Sequence, residues 1–303
     1  EEEAHICTVF EKKGILHKID MHLRKNKTKG IAIDGVPIRR ASELFGLIHF
    51  VFFSPEDLSI IKNGPAERRH FLDSELCQLD KVYLYQLSNY NKVVLQRNKL
   101  LKELYLHPDY REVLDVLDMQ LVQYGSALIQ RRQTFAEELG EIVHRIHSQL
   151  SGGQEEMELK YEPNVTVDAF AQMLFSNRER DMRLKTTATG PHRDDISFVV
   201  NGVDIRKFGS QGQQRTAALS LKLSEIELVK RLIGDTPVLL LDDVLSELDS
   251  GRQNYLLNSI ENIQTLITCT GLDEFVNHRF SINRIYKVTD GSVTVENKQE
   301  ADR

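Results

Sequence analysis

Residues 239–249 read LLLDDVLSELD, an apolar run that stops at two adjacent acids. The unbroken run from Val238 to Leu241 predicts a short strand buried on both faces, as in a parallel sheet. Open parallel sheets bind ligands beyond the carboxyl ends of their strands, where Asp242 and Asp243 follow. One carboxylate there can hold Mg²⁺ against the phosphates of a nucleotide, and its neighbour can orient or deprotonate an attacking water. Taken alone, the pattern also fits an ordinary strand-to-loop transition.

A second segment, Gly209 to Arg215, reads GSQGQQR and opens a helix predicted over Gln213 to Leu232. Its glycines allow close backbone approach, its serine hydroxyl can donate, and the N-terminus of a helix favours an anion. The segment therefore suits contact with a terminal phosphate, and a flexible polar loop is the alternative. The chain order is informative, because the loop, one helix, the strand with two acids and then Ser246 to Asp249 follow one another.

This order resembles the signature motif, Walker B strand and D-loop of ABC-type ATPases. With three further segments, it is similar to the RecF family of bacterial recombination-repair proteins along nearly the whole chain. These segments are Phe53-Ser54-Pro55-Glu56-Asp57-Leu58, Arg68-Arg69 with Phe71-Leu72-Asp73, and Gly190-Pro191-His192-Arg193-Asp194-Asp195. The resemblance implies an α/β fold, an ABC-type ATPase head with a mixed sheet lobe and a helical lobe that contains a short helical hairpin. We assign residues 1–74 with 233–303 to the ATP-binding lobe, and residues 75–232 to the helical lobe.

The resemblance also implies a function. Members of this family are ATP-dependent homodimers that bind single- and double-stranded DNA and act with RecR and RecO to help RecA load at single-strand gaps. The processes implied are DNA repair, replication, recombination and the SOS response, with ATP and Mg²⁺ as cofactors.

Residue roles follow by matching motifs. Asp242 matches the metal-site acid, and Asp243 occupies the catalytic position, where most ABC proteins have a glutamate that is one methylene longer. The signature positions, which close over the nucleotide of the partner subunit, are Ser210, Gln211, Gly212 and Gln213. The D-loop positions are Ser246 and Asp249.

The sequence departs from the family pattern in two places. No Gly-Lys-Ser or Gly-Lys-Thr triplet occurs in the 303 residues, so the loop whose amides cradle phosphates is not found. In family order that loop precedes Glu1, and we expect residues to be missing there. We therefore expect this chain alone to bind ATP very weakly and not to hydrolyse it, although the intact family is a slow ATPase. Where many ABC proteins carry a switch histidine, this chain has Thr270.

Other functions stay open at this stage. The chain can be a non-enzymatic DNA-binding or partner-binding fragment of an ABC-type head, or the ATPase subunit of an SMC-type protein or a transporter. The helical insertion is too short for the long coiled coils of SMC-type relatives. No apolar run approaches the roughly 20 residues that span a membrane, and we expect a cytoplasmic protein.

Periodicity predicts the N-terminal and helical elements. Short alternating runs predict an antiparallel meander over Ile6 to Phe10, Leu16 to Leu23 and Gly30 to Ile33. Between Lys81 and Leu150, two apolar stripes predict antiparallel helices joined around His107-Pro108-Asp109, with Arg97 interrupting the first stripe. They form either a short coiled-coil-like arm or two ordinary amphipathic core helices.

Three more elements are predicted towards the C-terminus. Tyr161 to Asn177 is expected to be a loop with a helix. Ile196 to Val200 is expected to be a strand that turns at Asn201-Gly202, the strongest short hairpin signal. Leu266 to Thr270 is expected to be a second buried strand.

The composition is typical of a folded protein and limits the kinds of site that the chain can carry. Hydrophobic residues make up 41% and charged residues 28%, as in ordinary folded proteins. Cys7, Cys77 and Cys269 lack metal-ligand spacing, and we expect reduced, mostly buried thiols. Because the net charge is −6, a DNA site must be a local basic patch.

Two basic stretches are candidates for contact with DNA phosphates. The first, which we predict as the DNA site, is the turn with Arg24, Lys25, Lys27 and Lys29, and the second contains Arg178, Arg180, Arg183 and Lys185. A solvated charged surface is the alternative for each. His192 and Arg193 are expected to be structural rather than catalytic.

Overall fold

The computed structural model describes residues 2–103, 111–270 and 283–296. The strands are β1 (Glu3–Lys12), β2 (Ile15–Arg24), β3 (Gly30–Ile33), β4 (Val36–Ile38), β5 (Phe50–Phe53), β6 (Met157–Glu162), β7 (Asp195–Val200), β8 (Val203–Asp204), β9 (Val238–Asp242), β10 (Thr265–Thr268), β11 (Ile285–Thr289) and β12 (Ser292–Glu296). The helices are α1 (Leu58–Lys62), α2 (Pro65–Leu79), α3 (Lys81–Glu103), α4 (Arg111–Leu150), α5 (Val167–Ser176), α6 (Arg178–Leu184), α7 (Ile205–Phe208), α8 (Gln211–Ile233) and α9 (Ser250–Ser259).

The predicted N-terminal meander is confirmed. β1 to β4 form a four-stranded antiparallel sheet in chain order. Lys13 and Gly14 both have positive φ between β1 and β2, which is the backbone of a tight two-residue hairpin turn. The turn from Arg24 to Lys29 joins β2 to β3 and projects its basic side chains at one end of the sheet.

A parallel sheet with strand order β10-β9-β5 carries the two adjacent acids. On its covered face, Val51, Phe53, Leu239 and Leu241 are buried, and β5 packs against α8. Side chains alternate between the two faces of a strand, and the residues between these four are more exposed. The expectation of a second buried strand is wrong, because β10 ends at Thr268 and Leu266 is 54% exposed.

α3 and α4 pack against each other along their apolar stripes, as predicted, and the segment around Pro108 lies outside the described residues. α4 has 40 residues, and its second half packs on β6 and α8 instead of α3. Arg97, which interrupts the stripe in sequence, is fully buried in the seam. Its guanidinium contacts Asp118 and Asp181, each at 2.6 Å, so paired carboxylates compensate its charge.

A small antiparallel sheet, β6-β7-β8, lies beside α4. The predicted hairpin at Asn201-Gly202 is confirmed, since both residues have positive φ. The prediction of a loop from Tyr161 was wrong at its start, because Tyr161 belongs to β6. The alternation of Met157 and Leu159 with charged residues was the available signal for this strand.

The three cysteines form no disulfide with one another, but the expectation of mostly buried thiols is wrong. Cys7 and Cys269 are exposed, and Cys77 is buried. Burial raises the pKa of the Cys77 thiol to about 12. Among the described residues, no helix is long and apolar enough to cross a membrane.

Candidate nucleotide-binding site

The two acids project from the carboxyl end of β9, as the sequence predicts. Asp242 is exposed, and its Oδ1 accepts a hydrogen bond of 2.5 Å from Thr268 Oγ1 on β10. The second carboxylate oxygen remains available to a cation. Thr268 was not singled out from the sequence, and only the parallel pairing of β9 with β10 reveals it.

Asp243 adopts a left-handed backbone conformation with φ of 51°. Few residues other than glycine do so, although aspartate is more tolerant than most. This conformation turns the chain out of the sheet, and Ser246 then folds back towards Asp243. The Ser246 hydroxyl lies 2.9 Å from the Asp243 carbonyl oxygen and 3.1 Å from Asp243 Oδ1. Ser246, which is predicted to belong to the D-loop, therefore contacts the acid that is predicted to occupy the catalytic position.

The number of acids at this strand end bears on the predicted magnesium site. Among the described residues, no group of three or more His, Cys, Asp or Glu side chains could hold a metal ion. Protein-bound Mg²⁺ usually takes only one or two carboxylates and completes its shell with phosphate oxygens and water. Asp242 and Asp243 supply that number of carboxylates at an exposed strand end.

The signature segment forms the capped N-terminus of α8. Ser210 Oγ accepts from the Gln213 amide at 3.2 Å, and Gln213 Oε1 accepts from the Ser210 amide at 3.0 Å. This reciprocal pair is a capping box. The Ser210 hydroxyl proton is not used by the cap. The amides of Gln211 and Gly212 belong to the first helical turn, where no intrahelical acceptor exists, and both residues are exposed. Three donors thus face solvent at the positive end of the helix dipole.

A hydrogen bond also joins the signature segment to the connection between α4 and β6. Gln213 Nε2 donates to Glu155 Oε1 at 2.8 Å, and Glu155 lies in the turn after α4. The other oxygen of Glu155 contacts His147 Nε2 at 3.1 Å, and His147 Nδ1 contacts the Ser220 hydroxyl at 2.9 Å. Burial lowers the pKa of His147, against the opposing effect of Glu155. The sequence did not indicate Glu155 or His147, because their partners Gln213 and Ser220 lie 58 and 73 positions away in the chain.

Asp249, the second residue predicted to belong to the D-loop, caps α9. Its Oδ1 accepts from the backbone amide of Arg252 at 3.0 Å, and its Oδ2 pairs with the Arg252 guanidinium. The same guanidinium donates to Thr216 Oγ1 on α8 at 2.6 Å. The structure therefore places Asp242, Asp243 and Ser246 together and ties the D-loop to the signature helix. Within the part of the chain that the structure describes, no hydrogen bond joins Ser210 or Gln213 to the two acids.

A small cavity of about 50 Å³ lies between the signature helix, the D-loop and the segment that follows β5. It is lined by Phe53, Ser54, Pro55, Asp57, Leu58, Arg215, Ala218, Leu219, Lys222, Val244 and Leu248. Burial raises the pKa of Asp57, although Lys222 opposes the shift. The FSPEDL segment thus joins the carboxyl end of the sheet to α8.

A buried ionic cluster lies beneath this cavity. Lys222 Nζ contacts Glu225 Oε2 at 2.5 Å, and both side chains are buried. Burial lowers the pKa of Lys222, but Glu225, Asp57 and Glu75 outweigh this effect and raise it overall. Burial, reinforced by the charge of Glu225, raises the pKa of Glu75 well above its usual value. Three carboxyl groups surround one ammonium, so the cluster favours an added proton.

The segment from Gly190 to Asp195 forms part of a second buried network. Arg132 of α4 donates to Asp194 Oδ2 at 2.9 Å, and Arg68 of α2 donates to Asp195 Oδ1 at 2.6 Å. His192 contacts the Tyr90 hydroxyl at 2.7 Å, and burial lowers its pKa to about 4. These contacts favour the structural interpretation of His192.

The two basic stretches differ in their surroundings. Arg24, Lys25, Lys27 and Lys29 border an open groove of about 340 Å³ with Glu2, Glu3, Ala4 and Leu23. Arg24 contacts Glu3 at 3.3 Å. In the other stretch, Arg178 is paired with Asp115 and Asp118, each at 2.6 Å. Because these aspartates compensate its charge, Arg178 is a weaker candidate for contact with a DNA phosphate.

Comparison with known proteins identifies the family. The chain is 60% identical over 299 residues to the DNA replication and repair protein RecF of Lachnospira eligens, covering 98% of this chain and 82% of that protein. The chain belongs to the RecF family. A solved RecF structure, described as RecF-ATP in the RecFOR pathway, shares 33% identity and superposes with a TM-score of 0.90, covering 98% of this chain and 81% of the other. No family model matches the chain.

The RecF assignment confirms the predicted ABC-type α/β head and decides against a transporter subunit. The SMC head of Pyrococcus furiosus, bound to ScpA, covers 100% of this chain and 79% of its own, but with 13% identity and a TM-score of 0.51. That likeness shows the fold alone. Membership of the RecF family therefore also sets aside the SMC-type alternative.

Proposed function

We propose that this RecF-family chain acts in DNA repair, replication and recombination as a clamp that binds ATP, dimerises and holds DNA. The observation that carries the proposal is the outward orientation of two half-sites on one chain. Asp242 and Asp243 project from the sheet, whereas the donors of Ser210, Gln211 and Gly212 project from α8 without bonding to those acids. The acids can hold a metal ion but offer no donor to a phosphate, and the donors of α8 have no acid beside them. A nucleotide bound between two subunits would contact the acids of one subunit and the donors of the other.

Each residue then has a chemical role. Asp242 holds Mg²⁺, and the metal neutralises the charge on the β and γ phosphates. Asp243, held by Ser246, orients or deprotonates the attacking water. In the other subunit, the signature donors Ser210 to Gln213 contact the terminal phosphate, and Ser246 and Asp249 line the dimer interface. Residues 1–74 with 233–303 and residues 75–232 form the two lobes that present these surfaces.

The partners follow from the family. A solved relative is described as a recombination mediator of the RecFOR pathway. We therefore propose that this chain acts with RecR and RecO, and helps RecA to load at single-strand gaps. The basic turn of Arg24, Lys25, Lys27 and Lys29 contacts DNA phosphates, because it lines an open groove on an acidic chain.

The test is Ser210→Arg in the full-length protein, measured by light scattering with and without ATP. An arginine at this exposed cap fills the space of the partner's phosphate and removes the serine donor. We expect nucleotide binding by the single subunit to persist and ATP-driven dimerisation to fall by about 100-fold or more, the scale at which two or more lost contacts act. Ser88→Arg, an exposed change on α3, is the matched control. Normal dimerisation by Ser210→Arg would refute the composite site.

A further inference from the structure

Arg252 joins the two segments that face the second subunit. It lies in the first turn of α9, where its guanidinium pairs with Asp249 Oδ2 and donates to Thr216 Oγ1 at 2.6 Å. Thr216 is buried on α8, and its hydroxyl donates to the carbonyl of Gly212 at 2.8 Å. A continuous path of hydrogen bonds therefore runs from the D-loop acid through Arg252 to the backbone of the signature segment.

The geometry requires a guanidinium. Two nitrogens of Arg252 contact two acceptors, one at the cap of α9 and one on α8, and the planar fork of arginine fixes both directions at once. A lysine ammonium on this stem can pair with Asp249 but does not present two donors in a fixed plane. The Arg252 side chain is only 30% exposed, and its Nε is buried without a hydrogen-bond partner in the described structure.

Two other side chains of α9 form hydrogen bonds with residues outside this helix, and their partners do not belong to α8. Gln253 Nε2 donates to the Leu245 carbonyl at 2.8 Å, and the Tyr255 hydroxyl donates to Gln149 of α4 at 2.6 Å. Within the described ranges, Arg252 supplies the side-chain hydrogen bond from α9 to α8. Its loss leaves α9 attached to the molecule but separates the D-loop from the signature helix.

We propose that Arg252 is a positioning residue that fixes the D-loop and the signature segment relative to each other, so that both meet the second subunit's nucleotide together. This inference rests on the proposed function of a composite dimer site. Arg252 contacts no half-site donor or acid that we assign to the nucleotide, so it acts through Thr216 and Asp249. The physical effect is preorganisation, because a surface already in its bound arrangement loses less conformational freedom on association.

The test uses Arg252→Gln, Thr216→Val and their combination in the full-length protein. We expect each single change to weaken ATP-driven dimerisation by about tenfold, the scale of one lost charge-assisted hydrogen bond. The double variant should be no weaker than the weaker single variant, because both changes remove the same contact. Arg252→Lys should not restore dimerisation. ATP affinity of the dilute single subunit and the thermal midpoint should stay near wild type in Thr216→Val.

Arg145→Gln serves as the control, since Arg145 pairs with Glu227 on the surface and both side chains are about half exposed. It should dimerise as wild type does. The inference is overturned if wild type dimerises with ATP and both Arg252→Gln and Thr216→Val do so equally well, or if the two effects simply add. Failure of wild type itself to dimerise with ATP would instead remove the proposed function, and this inference with it.

Discussion

Among single residues, Glu75 is a clear case in which burial changes the pKa of a side chain. It is buried on α2 with Glu225 and Lys222 of α8, and Asp57 approaches from the segment before α1. Burial disfavours the ionised form of Glu75, and the negative charges of Glu225 and Asp57 add to that effect and raise its pKa. The folded chain therefore favours a protonated carboxyl that the unfolded chain releases near its ordinary pKa.

Glu75→Gln should reduce the pH dependence of stability. Because the folded pKa of Glu75 is raised, its contribution to stability is complete below the unfolded value of 4.5 and is lost as pH rises through the folded pKa. Glutamine imitates the protonated acid at every pH. We expect the variant to unfold at higher urea concentration than wild type at pH 8, and the difference to shrink at pH 5. Glu141→Gln, on the exposed side of α4, should follow wild type. Parallel pH profiles for Glu75→Gln and wild type would contradict the raised pKa of Glu75.

At the scale of elements, the α3–α4 hairpin depends on an ionic pair inside an apolar seam. Arg97 of α3 contacts Asp118 of α4 and Asp181 of α6, and its Nη1 also contacts the Thr187 hydroxyl at 3.0 Å. Three elements thus meet at one guanidinium. The arm is more than a pair of amphipathic helices, because this contact fixes its register and ties it to α6.

Arg97→Met should destabilise the chain by about 3 to 5 kcal/mol, since it leaves the fully buried carboxylate of Asp181 without its charge partner, whereas Asp118 keeps Arg178. The matched control is Lys99→Met on the same helix. Lys99 is 80% exposed and lies 4.0 Å from Glu103, so its loss should change stability by at most about 0.5 kcal/mol. Urea unfolding followed by circular dichroism measures both. Equal midpoints for the two variants would show that the buried pair does not hold the hairpin.

For the whole molecule, DNA binding depends more on where the charges lie than on the net charge. The chain has a net charge of −6, yet the β2–β3 turn presents four cations beside one groove. The other basic stretch is partly neutralised, because Arg178 is engaged by two aspartates. Phosphate contacts position a protein on DNA without reading bases, so the turn should bind DNA irrespective of sequence.

Replacing Arg24, Lys25, Lys27 and Lys29 with alanine should weaken binding to single- and double-stranded DNA alike. On duplex DNA, the dependence of log K on log salt should flatten by about 3 to 4 units, given roughly 0.9 per phosphate neutralised. Fluorescence anisotropy across a salt series measures both quantities. The comparison variant replaces Arg180, Arg183 and Lys185, which are exposed on and just beyond α6. If the quadruple variant keeps its affinity and slope while this triple variant loses them, the DNA site lies at α6.

The sequence alone determined the family, the meander, the two long helices and the strand that ends in Asp242 and Asp243. These follow from local patterns, because hydrophobic period, turn residues and short motifs act over neighbouring positions. Asp249 and Arg252 were also within reach of sequence reasoning, since a helix cap and a residue three positions later meet by geometry.

Tertiary structure alone decided which distant side chains complete the site. Thr268 reaches Asp242 because β10 pairs with β9, and Arg252 reaches Thr216 because α9 packs near the start of α8. The burial of Arg97 and of Glu75 was equally hidden, since a charged residue in an amphipathic stripe indicates exposure unless its partners are known. These contacts join residues far apart in the chain, and only the packing of elements brings them within hydrogen-bonding distance.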